Sequence, residues 1–294
     1  MRLGVTISAP DLGGDPGFLK EFAQAVEEAG FDHLLVAEHV IGGHPDRAGG
    51  EQVHTYDVPY HEPFVLLSHL GAVTSRLELV TSILILPQRQ TVLAAKQAAE
   101  LDLLTGGRLR LGVGVGRNWM EYEALNEDFA NRGERIEEQV EVVRRLWTEE
   151  LVTYDGRWHR LDRVGLNPMP VQRPIPLWMG SFRGQLVERV LRRVGRLADG
   201  WFPQFPPGDE LAAAVDRLRG YAAEAGRDPV SIGIECNVAI RNGDDPERWV
   251  TRATAFRDLG ATHLRVITAG GGFESPSVHL VAALRWLGAV APLR

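Results

Sequence analysis

Leu79-Val80-Thr81-Ser82-Ile83-Leu84-Ile85-Leu86 is an apolar run broken only by two adjacent hydroxyls, and the stretch 109–115 (Leu-Arg-Leu-Gly-Val-Gly-Val) shares its character. A strand facing water on one side alternates apolar with polar residues. Near-continuous runs suit a parallel sheet covered on its outer face by helices. Outward from these two runs, strand-like segments recur at 3–7, 32–37, 77–85, 109–115, 176–179, 200–203, 231–240 and 263–268. Helical patterns lie between them at 16–29, 63–74, 91–105, 132–149, 184–196, 208–226, 246–259 and 277–290. Eight strands each followed by a helix is the count of a (β/α)8 TIM barrel, an α/β fold of typically about 250 residues plus insertions. A doubly wound open sheet shows the same alternation and stands as the alternative. No linker or low-complexity segment divides the chain, so one domain over 1–294 is expected. Insertions interrupt the pattern at 40–62, after the second strand, and at 150–175, after the fourth helix, where a short hairpin is expected.

Local chemistry supports the helices. In 132–149, Ile136, Val140, Val143, Leu146 and Trp147 recur at helical spacing, with Glu137, Glu138, Arg144 and Arg145 on the other face. Asp15-Pro16, Asp245-Pro246 and Ser275-Pro276 each put a capping oxygen before a proline at the first helical position. Gly30, Gly106 and Gly226 stand where helices should end.

Composition narrows the function classes. The 294 residues are 44% hydrophobic and 24% charged, ordinary for a protein able to bury a full core. A net charge of −7, from 32 basic and 39 acidic residues, argues against a nucleic-acid or anionic-membrane binder. Lys20 and Lys96 are the only lysines, a bias toward arginine read as compositional. A lone cysteine, Cys236, forbids an internal disulfide and a cysteine-built zinc site. No signal-peptide order opens the chain, and no apolar run approaches the ~20 residues of a membrane span, so a cytoplasmic location is expected.

Candidate chemistry lies at the strand ends. The second strand leaves through Val36-Ala37-Glu38-His39, pairing a carboxylate with the side chain that titrates nearest neutrality. A satisfied histidine beside an exposed glutamate reads equally well from position alone. Thr81 and Ser82 suggest a bulge or a ligand contact, or ordinary barrel-interior hydroxyls. Gly112-Val113-Gly114-Val115-Gly116 lets a backbone approach something flat, yet Arg117 replaces the third glycine of a dinucleotide fingerprint. Gly180-Ser181-Phe182-Arg183-Gly184 opens a helix and suits a phosphate, or a simple cap.

Other classes fit less well. His39, His44, His54, His61 and Glu38 suggest a metal-dependent hydrolase, but no His-x-His ends the first strand, and no metal is expected. Glu235 has no facing partner on the fourth strand before Glu121, as a glycosidase would need. No G-x-S-x-G elbow is present.

In order and spacing these segments resemble the luciferase-like monooxygenase superfamily over almost the whole chain. The resemblance is carried by Val36-Ala37-Glu38-His39, by 79–87, and by Ala94-Ala95-Lys96-Gln97 through Leu103-Leu104-Thr105-Gly106-Gly107-Arg108-Leu109. It continues in Gly112 to Gly116, Glu121-Tyr122-Glu123-Ala124-Leu125, Pro170-Val171-Gln172-Arg173-Pro174 and Ala198-Asp199-Gly200-Trp201. Within the superfamily the pattern is most similar to the branch dependent on coenzyme F420, a 5-deazaflavin. The resemblance implies a cofactor ring in the barrel mouth, a non-prolyl cis peptide at Ser82-Ile83 backing the ring, and cofactor contacts from Thr81, Ser82, Ile83, Val115, Gly116, Gly180 and Ser181. It implies Glu38 and His39 as catalytic residues bordering the ring, His39 as acid/base or substrate partner. Arg117, Trp119 and Trp178 become candidates for the substrate pocket; Arg117 departs from the aromatic or acidic residue expected at its position.

The implied function is hydride transfer between coenzyme F420 and a small organic substrate. One alternative is an FMN-dependent monooxygenase using O2 and a separate flavin reductase. An alternative of another class is a barrel that binds flavin without turnover. Family habit also implies a homodimer.

Overall fold

The computed structural model describes residues 1–7, 9–47, 54–181 and 188–294. The elements run β1 (Arg2–Ile7), α1 (Ala9–Leu12), α2 (Pro16–Ala29), β2 (His33–Val36), α3 (Pro63–Gly71), β3 (Glu78–Thr81), β4 (Leu84–Ile85) and α4 (Thr91–Leu104). They continue with β5 (Leu109–Gly114), α5 (Trp119–Ala124), α6 (Arg132–Thr148), β6 (Val152–Asp155), β7 (Arg160–Val164), β8 (Leu177–Gly180) and α7 (Glu188–Leu197). The chain closes with β9 (Gly200–Phe202), α8 (Asp209–Glu224), β10 (Gly233–Ala239), α9 (Pro246–Asp258), β11 (His263–Ile267) and α10 (Pro276–Val290).

The pairing decides between barrel and open sheet. Strand order is β3-β2-β1-β11-β10-β9-β8-β5-β4, every pair parallel, and β3 also pairs with β5. That last pairing closes the sheet, so the expected (β/α)8 barrel is the fold. The run 79–86 is not one strand, however. It breaks at Ser82-Ile83, a cis peptide. Below the break β3 pairs with β2 and β5; above it β4 continues only along β5, with Leu84 opposite Val113 and Ile85 opposite Gly114. The Ser82 amide still reaches across to Val36 O at 2.7 Å, which makes the break a bulge.

Most helices lie where periodicity puts them. Asp15 accepts from the Gly17 amide and Asp245 from the Glu247 amide, as their proline-led starts require. Ser275 is a correction: its Oγ meets Ser277 Oγ at 3.1 Å and caps nothing, because its own neighbour offers a competing hydroxyl. Gly30 ends α2 at φ 97°, in the left-handed region that glycine enters without a Cβ penalty. The start of α7 near 184 lies outside the described residues. α1 and α5 were not foreseen; each spans fewer than two turns, too short to print a periodicity. The insertion 150–175 forms the expected hairpin, β6 antiparallel to β7. Glu138 of α6 accepts the amides of Arg157, Trp158 and His159, each at 2.9 Å, and the His159 ring bridges on to Thr91 at the start of α4.

The main core fills the layer between sheet and helices, where Leu34, Leu79, Leu111, Val143, Trp147 and Trp286 are fully or almost fully buried. Each such side chain contributes roughly 1.5–3 kcal/mol relative to exposure. The stretch Pro276–Leu293 is apolar and long enough for a membrane span by composition, yet α10 buries Ala283, Trp286 and Val290 against the protein.

The barrel interior is different in kind. Its middle holds Leu35, Val80, Trp178 and Phe202. Trp178 occupies space left by two glycines: a Cβ on Gly200 would lie 2.1 Å from the indole, and one on Gly233 2.4 Å. Around it sits a buried ionic network. Arg110 meets Glu235 at 2.6 Å and Glu78 at 3.1 Å and lies 4.3 Å above the indole centroid, while His33 Nε2 meets Glu235 at 2.9 Å. Burial alone would raise the Glu235 carboxyl, but His33 and Arg110 hold it well below the carboxylate range. Glu235 is thus spent inside the barrel, unavailable for glycosidase work.

Candidate active site

The mouth is shaped first by missing side chains. A cavity of about 320 Å³ opens where β5 and β8 end, lined by Val113, Gly114, Val115, Gly116, Met179 and Gly180. Ile83, set by the bulge, packs against two of these lining glycines. A Cβ on Gly114 would fall 2.6 Å from Ile83 Cδ1, and one on Gly180 3.0 Å from Ile83 Cγ2. At Gly116, φ is 62° and a Cβ would sit 2.8 Å from Ile85. The glycines therefore let the wall close onto isoleucine side chains, giving a smooth apolar surface with backbone amides nearby. Val115, Gly116 and Gly180, expected around the cofactor, line one cavity together with Arg117, and Ile83 packs behind Gly114 and Gly180.

The outer side is cationic. Arg132 and Arg193 line it with Arg117. Arg193 pairs with Glu137 at 3.0 Å and donates to Gly133 O; Arg132 stacks 3.7 Å from the Phe129 centroid. Sequence reasoning missed both; the only signal was the basic opening of α6, Arg132-Gly133-Glu134-Arg135. Ser181 follows Gly180, and among the described residues its buried Oγ has no hydrogen-bond partner, which suits a ligand's donor or acceptor. Phe182, Arg183 and Gly184, the rest of the expected phosphate loop, lie outside the described residues.

His39 stands beyond β2, two strands round the barrel from β5. Its Nδ1 lies 3.1 Å from Glu121 Oε1, and the same carboxylate accepts the Val40 amide at 2.8 Å and Gln88 Nε2 at 3.3 Å. Burial opposes the charge on Glu121, but His39 and these donors outweigh it and hold its carboxyl below the usual value. A carboxylate on Nδ1 fixes the ring and assigns Nε2 to proton exchange. His54 packs tilted against His39 at 3.8 Å between centroids, and Tyr60 Oη meets His54 Nδ1 at 3.0 Å. Burial, reinforced by His39, pushes His54 down to about 4. The insertion delivers His54 through a bridge between Gly43 and Thr55.

Several expected residues are elsewhere. Glu38, like His39, is not among the residues that line the cavity. Its carboxylate is buried, accepts the Ile85 amide and is clamped by Arg89, which also holds Glu62. Burial raises its pKa while Arg89 opposes the rise. It organises the turn after β4, a role its neighbour Glu121 leaves it free to take. Thr81 donates to Gly112 O at 2.7 Å and joins β3 to β5; it is fully buried and turned to the sheet. Ser82 accepts from Arg265 beneath the bulge. Trp178 is interior packing, as above, and not a pocket residue. Trp119 lies on the rim, 38% exposed, under Arg47 of the insertion at 5.1 Å. Among the described residues no group of three or more His, Cys, Asp or Glu side chains is placed to hold a metal.

Barrel enzymes carry their chemistry on the loops after the strands, and both the cavity and the His39–Glu121 pair lie there. The chain belongs to the luciferase-like monooxygenase family, whose model matches residues 1–278. It is 33% identical over 264 residues to an F420-dependent glucose-6-phosphate dehydrogenase of Segniliparus rotundus, covering 85% of this chain and 71% of that one. It is 29% identical over 253 residues to an FMNH2-dependent dimethylsulfone monooxygenase of Pseudomonas fluorescens, covering 84% and 64%. In shape it is similar to the coenzyme F420-dependent tetrahydromethanopterin reductase of Methanopyrus kandleri, with a TM-score of 0.77 over 99% of each chain at 16% identity, a likeness of fold alone. The chain is an oxidoreductase of this flavin- and deazaflavin-using family.

Proposed function

We propose that this chain transfers a hydride between coenzyme F420 and a small organic substrate bearing a C=C, C=N, C=O or alcohol group. The observation that carries the reading is the two-sided cavity. Its apolar glycine and isoleucine wall suits one face of a planar ring, and Arg117, Arg132 and Arg193 suit an anionic tail. Ser181, next in the chain to the cavity-lining Gly180, adds a hydroxyl without a partner among the described residues. When bound, the deazaflavin supplies a ring carbon that accepts or returns a hydride. The protein's part is to orient substrate against that carbon, exclude water, and move one proton at His39 Nε2 while Glu121 steadies Nδ1. The 33% identity to an F420-dependent dehydrogenase over most of the chain supports this cofactor.

The second reading, an FMN-dependent monooxygenase fed by a flavin reductase and O2, is favoured by the likeness to the dimethylsulfone enzyme. Parallel fluorescence titrations with F420 and FMN test the choice. Tight binding of F420 alone supports hydride transfer; preference for FMN, with oxygen consumed on reduction, overturns it. We read the chain as a single catalytic domain acting as a cytoplasmic homodimer. A solution mass equal to the 32.5 kDa monomer would overturn the dimer.

A further inference from the structure

Arg265 is a charge that the mechanism above does not use. It sits on β11, 4% exposed, inside the barrel. Among the described residues its one hydrogen bond runs from Nη1 to Ser82 Oγ and its buried Nε has no partner; its guanidinium lies 5.4 Å from the Phe202 ring centroid. Glu235, the buried carboxylate on the adjacent strand, is engaged by Arg110 and His33. Among the described residues no carboxylate comes within ion-pair distance of Arg265, and Glu235 answers its charge only from beyond that distance. A guanidinium cannot escape by losing its proton in the physiological range, so burying one without a carboxylate in direct contact is a standing cost. If the role were only to join β11 to β3, an apolar side chain of similar volume would serve as well. The bond ends, moreover, on the residue that begins the bulge, and Ile83 beside it packs against Gly114 and Gly180 of the cavity lining.

We propose that Arg265 is a positioning residue of the cofactor site: through Ser82 it holds the bulge against which the ring rests, and its fixed charge favours the reduced ring over the oxidised one. This rests on the reading that a flavin or deazaflavin ring occupies the mouth. Hydride uptake brings the ring two electrons and one proton, a net gain of one negative charge, and the substrate loses that same hydride. A buried cation behind the ring therefore stabilises the product of uptake more than its precursor.

The test compares the intact protein with Arg265→Met, Arg265→Gln and Arg265→Lys, titrating each anaerobically with oxidised and with reduced F420, and likewise with FMN. Both neutral variants should lower the ratio of reduced to oxidised affinity about tenfold, which for a two-electron couple is a fall of about 30 mV in the bound midpoint potential. Arg265→Lys should keep most of the ratio. If Arg265→Met does not fold, Arg265→Gln still offers Ser82 a donor and reads the charge alone. Equal weakening of both redox forms, or an unchanged ratio, overturns the proposal and leaves Arg265 as a cross-strand tie. Binding of neither cofactor by the unaltered protein overturns the reading of the mouth, and this inference with it.

Discussion

His39 and Glu38 are neighbours in sequence and part company in space. Beyond the end of β2 His39 takes Glu121 on Nδ1, whereas Glu38 turns under the β4 turn to Arg89. Replacing His39 by Ala should lower kcat by about 10²–10³, the usual worth of a positioned acid or base, with cofactor affinity within about threefold. Steady-state kinetics beside a binding titration checks this, and equal losses in both would contradict it. Glu38→Gln should act instead on stability, costing about 3 kcal/mol by leaving Arg89 half-answered in a buried site. Urea unfolding reads that loss. The sequence made the Glu-His pair visible but could not say which carboxylate serves the histidine. Glu121 lies far along the chain on a short helix, and only barrel closure brings it to His39.

Elements were legible where their period was long enough to print. α6 and the 150–175 hairpin lie where pattern and proline content put them, but the bulge at Ser82-Ile83 was hidden because apolar residues flank it on both sides. Only the adjacent hydroxyls hinted at it, and the resemblance supplied its place. The interior glycines are a similar case: nothing local explains Gly200, whereas Trp178 across the barrel does. Gly200→Ala would press a methyl into the indole at 2.1 Å, backed by rigid sheet. A loss of about 3 kcal/mol is expected from such overpacking, read as a lower urea midpoint. A variant as stable as the parent would mean that the indole can move aside.

At the scale of the molecule, alternation alone left barrel and open sheet undecided, because both bury parallel strands under helices. The β3–β5 pairing, invisible to periodicity, settles it. Closure also creates the buried polar interior, and that interior sets the response to acid. Burial, with Arg110 nearby, pushes His263 down to about 2, so it stays neutral in the folded protein while an unfolded histidine protonates near 6.5. Below pH 6.5 the unfolded chain then binds more protons. The stabilisation is complete above that pH and is lost as pH falls, at up to about 1.4 kcal/mol per pH unit. His54, half-buried and pushed down to about 4, acts in the same direction but for less. Glu235, held well below its usual value of 4.5, adds a further loss below about pH 4.5. The urea midpoint should therefore start to fall near pH 6.5, and a flat midpoint from pH 8 to pH 5 would contradict this.

The Glu138 carboxylate, gathering three successive amides at the tip of the β6–β7 hairpin, gives that tip an unusual clock. Turn amides at a protein's edge ordinarily trade their protons for deuterium almost as fast as a free peptide does. Those of Arg157, Trp158 and His159 can trade only when the carboxylate lets go, so they should label much more slowly than the exposed turn amide of Gly243. Glu138→Ala should set all three running at the pace of open chain together, while the barrel strands keep their own slow time.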